Sequence, residues 1–496
     1  MLLCVVPTFL CTAAATERTV AAQRYKISGY SAYLCSPQKP PSLKDLSTGN
    51  EGKLILKFAI PMLLGNVFQQ FYSLIDSIIV GKFIGKGALA AVGTSMPITF
   101  LLISLFIGIT MGFTIIVSQY FGAKDMVRVK KAINTLYIFI FFTSIVMSVV
   151  GILISGWIFR IIGMDPAIIP QAKLFLDIFM AGLLFLFGYN GTSAILRGLG
   201  DSKTPLYFLV GSVVLNIILD IIFVPILGWG VWSVAVATVI SEAAAFIAQI
   251  IYLNRYHKVI NFSFADLKFD REIFNKGIRI GLPTGLQQTF VAAGMVTLYG
   301  IVNKFGVDAN AAYSVAGRID NFAAMPAMSF SMALSTFVGQ NLGANKPERV
   351  VAGLRSTLAI TAVISVAVSF ITVIFGKYLM WMFTDDPAVI ELGRGYLAVI
   401  GSFYILFSTM FVLNGVMRGA GDTLIPMFVS LIALWVIRIP IATMLSSHHA
   451  IGIYGVYWSM PIGWFVGAAL SFAYFLTGRW KKKAVVKYSK EGKRVE

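Results

Sequence analysis

Leu196-Arg197-Gly198-Leu199-Gly200-Asp201-Ser202-Lys203-Thr204-Pro205 returns further along the chain as Met417-Arg418-Gly419-Ala420-Gly421-Asp422-Thr423-Leu424-Ile425-Pro426. The two stretches are 221 residues apart, and a second pair keeps that offset: Gln119-Tyr120-Phe121-Gly122-Ala123 against Gln340-Asn341-Leu342-Gly343-Ala344. Pro61 and Pro283, each opening a half, differ by 222. A period this long, met once, is not a solenoid array; it marks two homologous halves.

Composition identifies the solvent. The hydrophobic fraction is 57% and only 12% of residues are charged, against roughly 45–50% and about 25% in soluble globular domains. A duplicated chain this apolar has the signature of a membrane transporter. The net charge of +18 raises the question of nucleic acid, but the basic residues sit in short loops between apolar runs rather than on one face, so lipid contact and topology account for them. No glycine-rich loop ending in Gly-Lys-Ser/Thr occurs, which argues against direct use of ATP. Cys4, Cys11 and Cys35 all fall near the start, leaving the repeated body without a disulfide or thiolate metal site. The adjacent His448 and His449 give no metal-ligand spacing.

Residues 1–50 do not match the duplicated body. Met1–Ala15 is apolar but lacks a positive n-region, so this stretch reads as a disordered or misassigned extension in preference to a cleaved signal. From Leu54 onward, twelve apolar segments approach the roughly 20 residues needed to cross a bilayer. They fall near 54–80, 89–117, 132–155, 171–195, 205–226 and 231–253, then 274–302, 310–337, 354–375, 388–416, 425–446 and 451–477. The expected division is an extension (1–50), an N-terminal six-helix lobe (51–255), a linker (256–273), a C-terminal six-helix lobe (274–478) and a basic tail (479–496). Lys124, Arg128, Lys130, Lys131, Arg197, Lys203, Lys346, Arg349 and Arg355, with the linker and tail cations, occupy one set of loops. The alternate loops hold Lys82, Lys86, Arg160, Lys304 and Lys377. By the positive-inside rule both termini and the linker are cytoplasmic. Six spans per half then relate the halves by a pseudo-two-fold along the membrane normal, with a central cavity between them.

A carboxylate at the bilayer centre costs roughly 2.5–3.5 kcal/mol on insertion scales and needs a reason. Asp76 lies in the first span, with Gln69 and Tyr72 on the same helix face. Asp220 lies in the fifth with Asn216 one turn before it, and Glu242 in the sixth one turn after Thr238. The plain alternative is a hydrogen-bonded acid that pins helices together, and Glu242 is the most open to that reading. The halves differ here: offset by 221, Asn216 and Asp220 become Ile437 and Ile441, and offset by 222, Asp76 becomes Leu298. A scaffold role would tend to be repeated, whereas a coupling site need exist once. Two nearby carboxylates in low dielectric cannot both stay charged. The pair can take a proton, or hold Na⁺ with Asn216 and Thr238 oxygens completing the shell.

The second half carries other polar groups. Arg318 and Asp320 share the eighth span, and Glu391 and Arg394 are spaced to pair near the outer end. Arg438 lacks a sequence-local partner and joins Gln69, Tyr72, Glu242, Gln287 and Gln288 as a candidate for the cavity wall. Met325, Met328 and Met332 suit a deformable wall, although ordinary helix packing explains them as well. In the Arg-Gly-x-Gly-Asp loops the glycines allow a tight turn and the Asp can cap the next helix, which is structural work rather than substrate binding.

Together the two Arg-Gly-x-Gly-Asp loops, the Gln-x-x-Gly-Ala turns and Arg318-Ile319-Asp320 before Met325-Pro326 resemble the multidrug and toxic compound extrusion (MATE) family of secondary transporters, over residues 52–478. Asp76, Asn216, Asp220 and Thr238 look like the N-lobe cation site of its DinF-type branch. The resemblance implies an all-α membrane protein of twelve helices in two six-helix lobes around a central cavity. It implies export of small cationic or amphipathic compounds against inward H⁺ or Na⁺, with no further cofactor. Phe175 stands where that branch usually has a tyrosine, while the second half keeps Tyr396 at the same offset. Gln287 and Gln288 replace the acid that the NorM-type branch carries in its seventh helix, so no C-lobe cation site is expected. The alternative is a lipid-linked oligosaccharide flippase of the wider superfamily, whose cavity should hold more cations than Arg318 and Arg438. An intramembrane enzyme lacks a catalytic set here, and a passive channel leaves the asymmetric acids unexplained. A monomer in a bacterial inner membrane is expected, with membrane lipid and small molecules as partners and no nucleic acid.

Overall fold

A computed structural model of the chain describes residues 44–256, 266–488 and 494–495. Its N-terminal lobe comprises α1 (Glu51–Ile79), α2 (Lys86–Gly122), α3 (Met126–Ile161), α4 (Ile169–Ala181), α5 (Leu183–Gly198), α6 (Lys203–Ile221) and α7 (Trp232–Tyr256). The C-terminal lobe comprises α8 (Arg271–Val302), α9 (Val307–Gly343), α10 (Pro347–Ile374), α11 (Gly376–Trp381), α12 (Pro387–Gly401), α13 (Tyr404–Gly419), α14 (Leu424–Leu431), α15 (Ile439–Ser446) and α16 (Tyr454–Leu476). Short π-helical pieces, Val80–Ile84, Ile222–Ile226 and Ile432–Arg438, continue α1 and α6 and join α14 to α15.

Ten of these stretches are long and apolar enough to cross a membrane, and two bent pairs bring the number to twelve. The bent pairs are α4 with α5, at 49°, and α12 with α13, at 52°. Each is the fourth span of its half, so the kink was duplicated with the sequence. Leu153, Val296, Val366 and Phe370 are among many large apolar side chains that stay exposed. In a bilayer this is the expected outer surface, because the surrounding hydrocarbon is as apolar as they are.

Local chemistry marks the helix starts. Asn50, Asp125 and Asp270 accept from Lys53 N, Arg128 N and Ile273 N at 3.0, 2.9 and 3.0 Å, pairing N–H groups that the first turns of α1, α3 and α8 leave free. Asp201 does the same for α6, accepting from Lys203 N and Thr204 N at 3.0 Å each. The capping role expected for the Arg-Gly-x-Gly-Asp loop is therefore present in the first half. In the second half Asp422 instead accepts from Tyr474 Oη at 2.5 Å. Gly200 and Gly421 both sit at positive φ, +84° and +90°, where a side chain would be strained. Lys124 and Asn345, which follow the two Gln-x-x-Gly-Ala turns, share φ of 57° and 58°. The duplication reaches backbone conformation.

The lobes meet through glycine. Gly108 and Gly112 of α2 lie against Gly277, Gly281 and Gly285 of α8, and a Cβ on Gly108 would come 2.1 Å from Gly285 N. Small residues every fourth position let two helix backbones approach where lipid supplies no hydrophobic drive between helices. Asn66 Nδ2 to Ser329 Oγ (3.1 Å) and Ser104 Oγ to Thr289 Oγ1 (3.0 Å) add cross-lobe hydrogen bonds.

One boundary needs correction. The extension expected over 1–50 lies outside the described residues as far as residue 43, but residues 44–50 belong to the body. Leu46 is buried, its N–H donates to Gln340 Oε1 at 2.8 Å, and its carbonyl accepts from Asn341 at 3.2 Å. The basic tail is likewise anchored at its start. Trp480 is buried, Val485 N donates to Gln119 Oε1 at 2.6 Å, and Tyr488 Oη donates to Gly343 O at 2.5 Å. Both segments pair backbone groups with side chains of the repeated turns, a form of contact that hydropathy does not record.

Candidate functional site

Three helices of the N-terminal lobe each bring a pair of polar residues one turn apart: Tyr72 and Asp76 on α1, Asn216 and Asp220 on α6, Thr238 and Glu242 on α7. The three pairs converge. Tyr72 Oη and Thr238 Oγ1 are 3.1 Å apart and tie α1 to α7. In the amide orientation that suits its surroundings, Asn216 donates to Asp220 Oδ2 at 2.8 Å and accepts from Thr238 N at 3.2 Å. Asp76 and Asp220 are close enough for their charges to act on each other, and both act on Tyr72 together with Glu242.

Asp76 and Asp220 are 4% and 1% exposed. Asp76 Oδ1, Asp220 Oδ1 and Glu242 Oε2 are buried without a protein hydrogen-bond partner. An acid whose work is to pin helices should have its oxygens satisfied, because each unpaired buried polar group costs roughly 1–3 kcal/mol. The C-terminal lobe supplies the comparison. Asp320 accepts from Tyr404 Oη at 2.6 Å and from Tyr396 Oη at 3.5 Å, so both of its oxygens are engaged. The N-lobe oxygens are suited to hold a proton or a small cation.

The other candidates separate. Gln69 is exposed and Gln288 half-buried. Gln287 is drawn into helix packing: it donates to Ser430 Oγ at 2.5 Å and accepts from Arg418 at 3.2 Å. Arg438 is buried within the C-terminal lobe, beside Tyr313 and within electrostatic reach of Asp320. Glu391 and Arg394 pair as expected, at 2.5 and 3.0 Å, on the exposed surface. Phe175 packs with Ile79, Val80, Val224 and Val234 next to the N-lobe site. Its duplicate Tyr396 keeps the hydroxyl and spends it on Asp320.

Sequence reasoning missed Tyr189. It comes from α5, beyond the bend of the fourth span, is 7% exposed and feels the charge of Glu242. Its signal was weak because the bend resets the helix face. Also missed was the role of Gln119 and Gln340, although their exact repetition at a 221-residue offset was visible.

The MatE family model matches residues 61–222 and again 283–444. The chain belongs to the MatE family. One match falls in each lobe, ending before that lobe's last spanning helix, and the family's members are transporters, not enzymes. Among curated proteins the chain is similar to the probable multidrug resistance protein YpnP of Bacillus subtilis strain 168, at 32% identity over 88% of this chain and 97% of that one. It is also similar to the probable multidrug resistance protein NorM of Thermotoga maritima, at 27% over 88% and 94%. A solved outward-facing structure of a multidrug resistance MATE transporter superimposes with a TM-score of 0.84, covering 90% of this chain and 100% of that one at 23% identity. That likeness shows the fold: twelve helices in two lobes.

Proposed function

We propose that this MatE protein is a secondary active antiporter that exports small amphipathic or cationic compounds by alternating access, driven by inward H⁺ or Na⁺. The observation that carries the reading is the pair of buried carboxylates, Asp76 and Asp220, each with an oxygen left free by the protein. Asn216, Thr238 and Tyr72 complete the coupling site. A proton or Na⁺ entering there removes the mutual repulsion of the two acids and the cost of burying them charged. Both aspartates stand just ahead of π-helical pieces, Val80–Ile84 and Ile222–Ile226. Such pieces bend more readily than regular helix and recur at functional sites. On this reading, occupancy of the site acts on the π-helical pieces that continue α1 and α6.

The relatives' names, multidrug resistance proteins, support efflux of drug-like molecules and do not favour the flippase alternative. The loop charges support a bacterial inner-membrane protein with cytoplasmic termini. The test is ethidium export from proteoliposomes under an imposed pH gradient and then an imposed Na⁺ gradient. Export driven by one or both supports the reading, and export indifferent to both overturns it.

A further inference from the structure

The buried polar atoms that lack a protein partner sort by lobe. Among the described residues, those of the N-terminal lobe are all acceptors: Asp76 Oδ1, Asp220 Oδ1, Glu242 Oε2 and Gln249 Oε1. Those of the C-terminal lobe are all able to donate: Arg418 Nε, Arg438 Nε, Arg438 Nη2 and Tyr457 Oη. An acceptor-rich interior suits a cation. A donor-rich one suits an anion.

Arg438 has the most specific geometry of these. It ends the π-helical piece Ile432–Arg438 and is 5% exposed. Nε and Nη2 lie along one edge of the guanidinium, the edge that grips a carboxylate through two parallel hydrogen bonds. Asp320, the acid within its electrostatic reach, is already engaged by Tyr404 and Tyr396. Asp320 is itself half-buried, whereas Arg438, Tyr396 and Tyr404 are buried.

We propose that Arg438 anchors an anion site in the C-terminal lobe that takes the carboxylate of an amphipathic organic acid or zwitterion. The proposal deepens the exporter reading and rests on it for the word substrate; binding itself does not depend on it. The plain alternative is that Arg438 only balances Asp320 and presents its remaining N–H groups to water.

The test compares rhodamine B, which carries a free carboxylate, with its ethyl ester, by fluorescence anisotropy on the purified full-length protein. Wild type should bind the acid about tenfold more tightly than the ester, the scale of one charge-assisted bidentate contact. Arg438→Gln should abolish the preference and leave ester affinity unchanged. Arg438→Lys keeps the charge without the fork and should retain only part of it. Asp320→Asn removes the local competitor and should strengthen it. Equal binding of acid and ester by wild type overturns the proposal without any variant, and so does a preference that survives in a folded Arg438→Gln protein. In proteoliposomes, gradient-driven export of the ester alongside equal binding counts against the anion site alone. A clear acid preference with neither dye moved by any gradient counts against the exporter reading alone.

Discussion

Gln119 and Gln340 make the same two kinds of bond, donating to duplicate carbonyls and accepting from a terminal segment. Gln119 Nε2 donates to Gly419 O at 2.9 Å and its Oε1 accepts from Val485 N at 2.6 Å. Gln340 Nε2 donates to Gly198 O at 3.1 Å and its Oε1 accepts from Leu46 N at 2.8 Å. Each glutamine therefore joins the opposite lobe's Arg-Gly-x-Gly loop to a terminal segment, all at the end that carries the basic loops. A Cβ on Gly122 would lie 2.0 Å from Gln340 O, and one on Gly343 2.0 Å from Gln119 O, so the two turns are in direct contact.

Replacing either glutamine with Ala leaves a buried carbonyl and a buried N–H unpaired, a cost of roughly 1–3 kcal/mol. That cost falls on the conformation closed at this end. Gln119→Ala/Gln340→Ala should shift the population toward lobes parted there. A cysteine placed at the buried Ser202 should then react faster with a maleimide. Unchanged reactivity in a folded double variant would show that the pair does not hold the end shut.

The architecture was legible because it was written twice: a repeated offset, repeated loop motifs and apolar runs of spanning length define two lobes without any contact being known. The N-lobe site was legible for a different reason. A buried carboxylate is so costly in lipid that Asp76 and Asp220 stand out in any apolar segment. What stayed hidden depends on tertiary approach. Leu46 and Trp480 lie outside the apolar spans, yet they are buried against the other elements. The glycines of α2 and α8 gain meaning only once their backbones are seen to touch. Arg438 and Asp320 are 118 residues apart in sequence and on different spans, so no local spacing links them.

Deletion of residues 1–48 removes Leu46, a buried apolar side chain with two backbone hydrogen bonds to the Gln340 turn. This should lower stability by about 2–4 kcal/mol relative to deletion of 1–43. Melting temperatures of the two truncations in detergent decide the matter, and equal values for both would mean that the docked segment contributes nothing.

Tyr72→Phe deletes the hydroxyl 3.1 Å from Thr238 Oγ1 and leaves the ring that packs α1. The loss should be modest in stability, about 1 kcal/mol for one hydrogen bond. In transport it should appear as a weaker dependence on the coupling cation, because Thr238 is no longer held beside Asn216. Cation titrations of transport rate in wild type and variant would reveal it, and superimposable curves would remove Tyr72 from the site.

Gradient-driven ethidium export by Asp76→Asn and Asp220→Asn proteins, reconstituted beside wild type, tests the coupling site most directly. Asparagine keeps the size of the side chain but cannot exchange charge, so it separates ionisation from packing. Each variant should insert and melt at the wild-type temperature or higher, since the cost of burying an unpaired carboxylate is gone. Neither should export ethidium against its gradient when the H⁺ or Na⁺ gradient that drives wild type is imposed. Full gradient-driven export by both variants would contradict the N-lobe coupling site.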